Sequence, residues 1–234
     1  MLIPSSLRSY TQQSEVEAGS ACLLVGGSSK RVQNVAMIPD PARFDEAIAR
    51  FDAAHAEDPA REFADGAEHP KELLYARRMS AWLASLAPDA SEPLKLAVRC
   101  QHLRRWSIPR NAYPMNVEGY REWRAIEARA HAEAARRILE GVGYDAVTIQ
   151  RVQALVRKEK LKRDPETQLL EDVACIVFLD NHFAEFAQKH DEETLVRILR
   201  QTWKKMSARG HEAALGLKLP AHLRAIVDKA LAEA

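Results

Sequence analysis

The amino-acid sequence predicts an all-α fold, a single multi-helix globular domain behind a flexible N-terminal extension. Helix-favouring Ala, Leu, Arg and Glu are abundant, whereas the chain of 234 residues contains only 9 glycines. Apolar residues recur at spacings of three and four through most of the chain, and no segment shows the alternation typical of strands. We therefore expect packed helices around a substantial core.

The first residues of the chain are predicted to lie outside the helical domain. Residues 1–42 show no sustained period and are interrupted by Gly26-Gly27-Ser28-Ser29 and Pro39-Asp40-Pro41. Such a composition predicts a flexible extension, or a start codon assigned too far upstream. The helical domain is then expected to cover residues 43–234.

Composition and charge narrow the class of protein. The net charge of +1 gives no overall reason to expect a nucleic-acid or membrane partner. No apolar run approaches the roughly 20 residues of a membrane span, and Glu15 and Glu17 make the start a poor signal peptide. The 3 cysteines are far apart, which favours a reduced compartment over a disulfide framework. We expect a cytoplasmic protein, and the sequence indicates no oligomeric state.

Periodic apolar residues, separated by caps and prolines, predict three helices before residue 110. The polar stretch 55–69 contains Gly and Pro and is predicted to be a loop. Ser91 is a natural N-cap, and its helix ends in the polar pair Gln101-His102 shortly before Pro109. The predicted helices cover residues 44–51, 71–86 and 92–102.

Six further helices are predicted in the second half of the chain. Asp145, Asp164 and Asp191 are N-cap residues, and Pro165 occupies the first helical position after Asp164. Gly141 and Gly143 end the longest helix, on which His131 shares a face with small and apolar residues. The predicted helices cover residues 117–139, 146–156, 165–183, 192–206, 211–215 and 221–231.

Three ionisable residues on inward helical faces predict a buried polar centre. His102, His131 and Asp172 come from separate helices, and burying such groups is costly unless they are paired or bound to a metal. Imidazole and carboxylate ligands together suit Mn, Zn, Fe or Mg. A purely structural cluster of Asp–His or Asp–Arg pairs would satisfy the same groups, so both interpretations stay open.

Other polar residues near this centre are candidates for catalysis and for substrate binding. Glu72, Gln101 and Glu171 lie on or beside the same helical faces and are the candidate catalytic groups. A phosphorylated small molecule would be bound by cations, for which we select Arg78, Arg104 and Lys158. The basic run 157–163 could hold its phosphate beside the helix that starts after Asp164, although such runs are more often solvated faces.

Aromatic and arginine residues alternate around the loop after residue 105. Trp106, Tyr113, Tyr120 and Trp123 are interleaved with arginines, a pattern that could line a groove for single-stranded RNA. The alternative is that the aromatic residues are core anchors. We favour this alternative because the net charge lacks the basic excess of nucleic-acid-binding proteins.

Four segments of the chain carry a resemblance to a known family. From about residue 44 to residue 214 the chain resembles the domain-of-unknown-function family 4202, which implies membership of a helical family without a settled activity. The segments that carry the resemblance are Pro70-Lys-Glu-Leu-Leu-Tyr-Ala-Arg-Arg-Met-Ser-Ala-Trp82, Gln101-His-Leu-Arg-Arg-Trp106, Leu170-Glu-Asp-Val-Ala-Cys175 and Trp203-Lys-Lys-Met-Ser207.

A more distant resemblance is to the HD-domain phosphohydrolases, which bind a metal through a His, a His-Asp pair and a later Asp. Glu72 falls near the first His, Gln101-His102 at the His-Asp pair, and Asp172 near the final Asp. His131 falls where some of these proteins supply an additional His. The resemblance implies an HD-like domain, either with a metal centre rebuilt from the altered residues or without catalytic activity.

These observations leave three functions open. The first is a divergent HD-like, metal-dependent hydrolase of a phosphorylated small molecule or nucleotide. The alternative is a metal-free binding or regulatory module for an anionic ligand on a degenerate HD-like scaffold. The third is an RNA-associated protein, which rests on the arginine and aromatic residues and on the segment Lys205-Met-Ser207, which is similar to part of the lysine loop of class I aminoacyl-tRNA synthetases.

Overall fold

The computed structural model describes residues 40–232, and within them the all-α prediction is confirmed. Residues 1–39 of the predicted extension lie outside the described residues; Asp40 caps the first helix. The helices are α1 (Pro41–Ala56), α2 (Lys71–Leu86), α3 (Glu92–Arg99), α4 (Val117–Val142), α5 (Ala146–Val156), α6 (Pro165–Val177), α7 (Phe183–Ala187), α8 (Glu192–Trp203), α9 (Ala208–Leu215) and α10 (Ala221–Ala232). The strands are β1 (Arg61–Ala64) and β2 (Ala67–Pro70).

The predicted N-caps begin their helices as expected. The side chain of Ser91 accepts a hydrogen bond from the amide of Leu94, and Asp191 accepts one from Thr194. Asp145 and Asp164 each accept two backbone amide hydrogen bonds at the starts of α5 and α6. These carboxylates satisfy amide groups that have no partner within the helix.

The prediction of a loop over residues 55–69 is wrong. Residues 61–70 form an antiparallel hairpin in which Arg61 pairs with Pro70 and Ala64 pairs with Ala67. Asp65 and Gly66 join the strands, and their φ angles of 51° and 80° are those of a type I′ turn. The strands have 4 residues each, so their alternation is too short to detect, but Asp-Gly is itself a hairpin signal.

Helix α6 joins the two parts of the hydrophobic core. Leu170, Val173 and Val177 pack into a cluster with residues of α1 to α5. Cys175 and Ile176, on the opposite side of the same helix, pack into a second cluster with residues of α7 to α10. Because α6 is covered on both sides, its polar residues must find partners inside the protein.

The helical path continues beyond α6 without a break. A π-helical segment, Phe178–His182, connects α6 to α7. The sequence predicted one regular helix over residues 165–183. It did not indicate that the last part of this helix is a wider π turn. Such turns are rare and occur frequently at functional sites.

Asp172 fastens α6 to the start of α9. Its carboxylate accepts a hydrogen bond of 2.8 Å from the amide of Ser207, and another of 2.5 Å from the hydroxyl of Ser207. Gln168 donates a third hydrogen bond to it, of 3.0 Å. Gly210 lies so close that an added Cβ would be 2.7 Å from the carboxyl carbon of Asp172. Asp172 therefore stabilises the packing of α6 against the start of α9.

Membrane spanning was not expected from the sequence. Within residues 40–232, no helix combines the length and the apolar content that crossing a bilayer requires.

Replacing Gly210 by Ala should destabilise the fold, because the new methyl group would overlap the carboxyl group of Asp172 and separate α6 from α9. We expect a loss of about 1–3 kcal/mol in the free energy of unfolding, measured by urea denaturation. Gly216→Ala is the matched control, since its added Cβ would meet the nearest atom at 3.4 Å. Equal stability of the two variants would contradict the proposed close contact.

Candidate functional site

A large cavity lined by basic residues lies beside α4. Its volume is about 830 Å³, and its walls come from α4, from the segment after α5 and from the residues between α8 and α9. Among the described residues, none of those that line it is acidic. We call it the basic cavity, and its cationic residues are Arg121, Arg124, Arg157, Lys158, Lys162, Lys204 and Lys205.

One face of α4 supplies the longest wall of the basic cavity. Val117, Arg121, Arg124, Ala128 and His131 follow one another at spacings of four, three, four and three, so they point to the same side of the helix. Arg124 is the deepest arginine of this wall: one of its terminal nitrogens donates to Glu127, and its Nε is buried without a hydrogen-bond partner.

The segment after α5 brings lysines to the opposite wall through an unusual backbone path. Lys158, Lys160 and Lys162 have φ angles of 55°, 56° and 70°, in the left-handed region that residues with a Cβ rarely adopt. Lys158 and Lys162 line the basic cavity. Strained backbone of this kind clusters at functional sites because the surrounding structure must compensate its cost.

His131 is a buried, neutral histidine with a fixed tautomer. Its Nδ1 lies 2.8 Å from the carbonyl oxygen of Leu103, which can only accept, so Nδ1 carries the hydrogen. Nε2 is then a hydrogen-bond acceptor, and it has no partner. Burial lowers the pKa of His131 to about 3, so the ring is neutral at physiological pH.

His102 is held between an acid and an arginine. Its Nδ1 lies 3.1 Å from Glu72, and its Nε2 lies 3.1 Å from a terminal nitrogen of Arg105. Arginine can only donate, so Nε2 accepts and Nδ1 donates to the carboxylate. Tyr75 stacks on the ring at a centroid distance of 4.4 Å. Burial, together with the charge of Arg105, keeps the pKa of His102 well below its usual value.

Arg105 also approaches a second buried acid. Its Nε lies 3.7 Å from Glu127, which is 0% exposed, and 3.9 Å from Glu72. Burial raises the pKa values of both carboxyl groups, and the charge of Arg105 opposes that rise. We call Glu72, His102, Arg105 and Glu127 the polar partition, because they form a continuous buried layer beside the basic cavity.

The predicted metal ligands are all buried, but they are not brought to one point. The rings of His102 and His131 are neighbours, with centroids 5.8 Å apart. Asp172 instead bonds to Ser207 at the junction of α6 and α9. Within residues 40–232, no three His, Cys, Asp or Glu side chains are placed to hold a metal ion.

The predicted catalytic residues lie in three different places: the polar partition, the wall of the basic cavity, and α6. Glu72 belongs to the polar partition, and Gln101 lines the basic cavity with its Oε1 buried and unpartnered. Glu171 is 0% exposed and accepts a hydrogen bond of 2.5 Å from Lys158. Adjacent residues on a helix differ in direction by about 100°, which is why Glu171 and Asp172 face different neighbours.

Of the predicted phosphate-binding residues, only Lys158 lines the basic cavity. Arg78 forms an ion pair of 2.5 Å with Glu62 of the hairpin. Arg104 forms an exposed ion pair of 2.9 Å with Glu57. The start of α6, where a phosphate was predicted to bind, is already occupied by a side chain, since Arg151 forms an ion pair of 2.6 Å with the N-cap residue Asp164.

The aromatic and arginine residues after residue 105 make contacts within the protein. Trp123 is 4% exposed and donates a hydrogen bond of 2.8 Å to the carbonyl of Ile108. The guanidinium groups of Arg105 and Arg110 lie 5.2 Å and 5.9 Å from a ring centroid of Trp123. This arrangement agrees with the interpretation of Trp123 as a core anchor.

The sequence interpretation missed Arg121, Arg124 and the lysine pair Lys204-Lys205 as parts of one site. A signal for the arginines was present, because the face of α4 that carries His131 continues through positions 128, 124 and 121. Nothing comparable marks Lys204 and Lys205, which reach the cavity only because α8 packs where it does.

Comparison with known proteins gives one match. The model of the family described as Domain of unknown function (DUF4202) matches residues 45–227, more than three quarters of the chain, and confirms the predicted family resemblance. No curated protein and no solved structure matches the chain. The resemblance to HD-domain phosphohydrolases therefore stays a prediction.

The buried His131 should make the protein less stable in mild acid. Its pKa is about 3 in the folded protein and about 6.5 in the unfolded chain. The unfolded state thus binds more protons below pH 6.5, and stability is lost as the pH falls. Between pH 7 and pH 5.5, His131 should account for about 1 kcal/mol of this loss.

Urea denaturation of the native chain and of His131→Gln at these two pH values measures the effect, since the variant should lose less stability. His222→Gln is the matched control because His222 is exposed. An identical pH dependence of the native chain and His131→Gln would show that His131 is not held neutral in the folded state.

Proposed function

The chain belongs to the family described as Domain of unknown function (DUF4202), and we propose that it binds a phosphorylated small molecule in the basic cavity. One observation carries the proposal: seven cationic residues line a single cavity of about 830 Å³, with no acid among the described residues that line it. The volume lies within the range of small-molecule sites, about 300–1,000 Å³. Phosphate oxygens are the ligands that such a concentration of positive charge favours.

Charge balance inside the protein supports an anionic ligand. Acids offset three of the seven cations. The buried Glu127 and Glu171 pair with Arg124 and Lys158, and Glu159 pairs with Arg157 at 2.7 Å. Burial lowers the pKa of Lys205, which means that its charged form is held at a cost. A phosphate group in the cavity would stabilise the ammonium form of Lys205 and would accept a hydrogen bond from the unpartnered Nε of Arg124.

Two buried acceptors indicate what else the ligand carries. Nε2 of His131 and Oε1 of Gln101 lack hydrogen-bond partners, and both residues line the basic cavity. A buried polar atom without a partner costs about 1–3 kcal/mol, which a ligand hydroxyl group would recover. We therefore favour a phosphorylated compound with free hydroxyl groups, such as a sugar phosphate or a nucleotide, over inorganic phosphate.

Reversing one charge of the basic cavity should weaken ligand binding. Ribose 5-phosphate is a suitable probe because it combines a phosphate group with hydroxyl groups. Lys162→Glu should reduce its affinity about tenfold or more, since it removes a charge-assisted contact and adds repulsion. Isothermal titration calorimetry measures this change, and binding by the native chain should also weaken as salt is added.

Two further variants test whether the change in affinity comes from the basic cavity and whether the ligand's hydroxyl groups contribute to binding. Lys218→Glu makes the same charge change at an exposed residue that does not line the cavity and should leave the affinity unchanged. Gln101→Leu should weaken ribose 5-phosphate more than inorganic phosphate, because only the sugar offers hydroxyl groups. If the native chain binds neither sugar phosphates nor nucleotides, the proposal is wrong.

Metal-dependent hydrolysis of the same ligand is a second candidate, and the two adjacent histidines favour it. His131 donates through Nδ1 to a carbonyl, and His102 donates through Nδ1 to a carboxylate. Histidines that bind metals through Nε2 usually have such partners on their other nitrogen. Nε2 of His131 is unpartnered, whereas Nε2 of His102 would bind a metal only if Arg105, which donates to it, turned away. A divalent metal held at His131 would supply the charge that polarises a phosphate group and lowers the pKa of a water molecule.

The metal hypothesis is tested separately from binding. Protein purified without a histidine tag should contain Mn, Zn or Fe, or its melting temperature should rise by several degrees when Mn, Zn, Fe or Mg is added. His131→Gln should abolish the metal-induced rise, and His222→Gln should preserve it. No metal content and no thermal shift, together with ribose 5-phosphate binding, would leave the metal-free module as the function.

A further inference from the structure

A second cavity lies on the other side of the polar partition. Its volume is about 470 Å³, and Glu72 and Arg105 of the partition form part of its wall. Glu72 contacts His102, which lines the basic cavity, so a single layer of side chains separates the two spaces. The remaining walls come from the segment after α1, the start of α2, the loop after Arg105, α4, and the π-helical segment with α7 and the residues that follow it.

Four large aromatic rings line this second cavity, which we call the aromatic cavity. Trp106 comes from the loop after Arg105, Trp123 from α4, and Phe178 and Phe186 from the π-helical segment and α7. The two phenylalanine rings meet edge to face, with centroids 5.5 Å apart. Flat rings from several elements favour a ligand that is itself flat, because stacking gains the most contact area for a planar group.

The aromatic cavity also contains a buried polar atom without a partner. His182 is 6% exposed, and its Nε2 makes no hydrogen bond. Burial lowers the pKa of His182, so the neutral ring offers a single acceptor or donor at this position. His182 comes from the π-helical segment, the one stretch of π-helix among the described residues. A ligand that pairs with Nε2 needs a polar edge on its planar ring.

Most charged residues of the aromatic cavity already have partners, although Lys71, which also lines it, makes no ion pair with any described residue. Asp58 accepts hydrogen bonds of 2.9 Å from the amides of Ala60 and Glu72. Arg110 donates to the carbonyl oxygens of Tyr113 and Pro114, at 3.0 Å and 2.7 Å. Lys189 forms an ion pair of 2.5 Å with Glu185. Among the described residues, four cations and three acids line the aromatic cavity, whereas seven cations and no acid line the basic cavity, so the aromatic cavity favours a ligand without net charge.

We propose that the aromatic cavity is a second binding site, which takes a neutral, planar heteroaromatic ring of the nucleobase kind. The ring stacks between the tryptophan and phenylalanine side chains, and its polar edge forms a hydrogen bond with Nε2 of His182. The proposal does not depend on the basic cavity, because it rests on other side chains and on a ligand of different charge.

Tryptophan fluorescence tests the proposal directly, because the chain has 4 tryptophans and two of them line the aromatic cavity. In the double variant Trp82→Phe/Trp203→Phe, only Trp106 and Trp123 remain to report. Titration with the neutral nucleosides adenosine, guanosine, cytidine and uridine should change its emission in a saturable way for at least one of them. Ribose, which lacks the base, should leave the emission unchanged.

Two further variants locate the binding. Trp106→Leu should weaken nucleoside binding about tenfold or more, measured by calorimetry. His182→Phe keeps a ring of similar size but removes the hydrogen bond, and it should weaken binding about fivefold. Trp203→Phe is the control that should bind as the native chain does. Circular dichroism confirms that each variant is folded.

The proposal is overturned if none of the four nucleosides binds to the folded native chain. It is equally overturned if Trp106→Leu and His182→Phe both bind a nucleoside as tightly as the native chain does, since the nucleoside then occupies another place. If one variant fails to fold, the other variant and the double-tryptophan variant still decide the question.

Discussion

The buried pairing of Arg105 with Glu72 and Glu127 is the constraint around which the polar interior of this protein is arranged. Two carboxylates removed from water are costly, and an arginine between them offsets that cost only if its geometry is held. Removing one partner of such a group typically costs about 3–5 kcal/mol, because the other charge remains buried. The neutral state of His102, which accepts from Arg105, follows from the same arrangement.

This polar partition also separates two cavities of different character. On one side, α4 and the strained segment of Lys158 to Lys162 present cations around the unpartnered Nε2 of His131. On the other side, tryptophan and phenylalanine rings surround the unpartnered Nε2 of His182. Glu72 belongs to the wall of one cavity and contacts the wall of the other, so a change in its protonation or position would be felt in both.

Much of the fold could be predicted from local signals. The caps at Ser91, Asp145, Asp164 and Asp191 act between neighbouring residues, and all four begin helices as expected. The hairpin was missed because strands of 4 residues are too short for their period to be recognised. Burial of the three predicted metal ligands was also foreseen from helical periodicity, but periodicity cannot tell which of two buried faces a residue occupies.

The sequence by itself determined the helical class, the family, the buried polar residues and the concentration of basic residues near position 160. These follow from spacing and composition, which are properties of the chain. Only the tertiary structure decided which residues are partners. Asp172 accepts a hydrogen bond from Ser207, Glu171 accepts one from Lys158, and the ring of His131 lies beside that of His102. Pairings between residues 13 to 35 positions apart depend on how helices pack, and a helical pattern fixes the face of a residue without fixing the neighbour it meets.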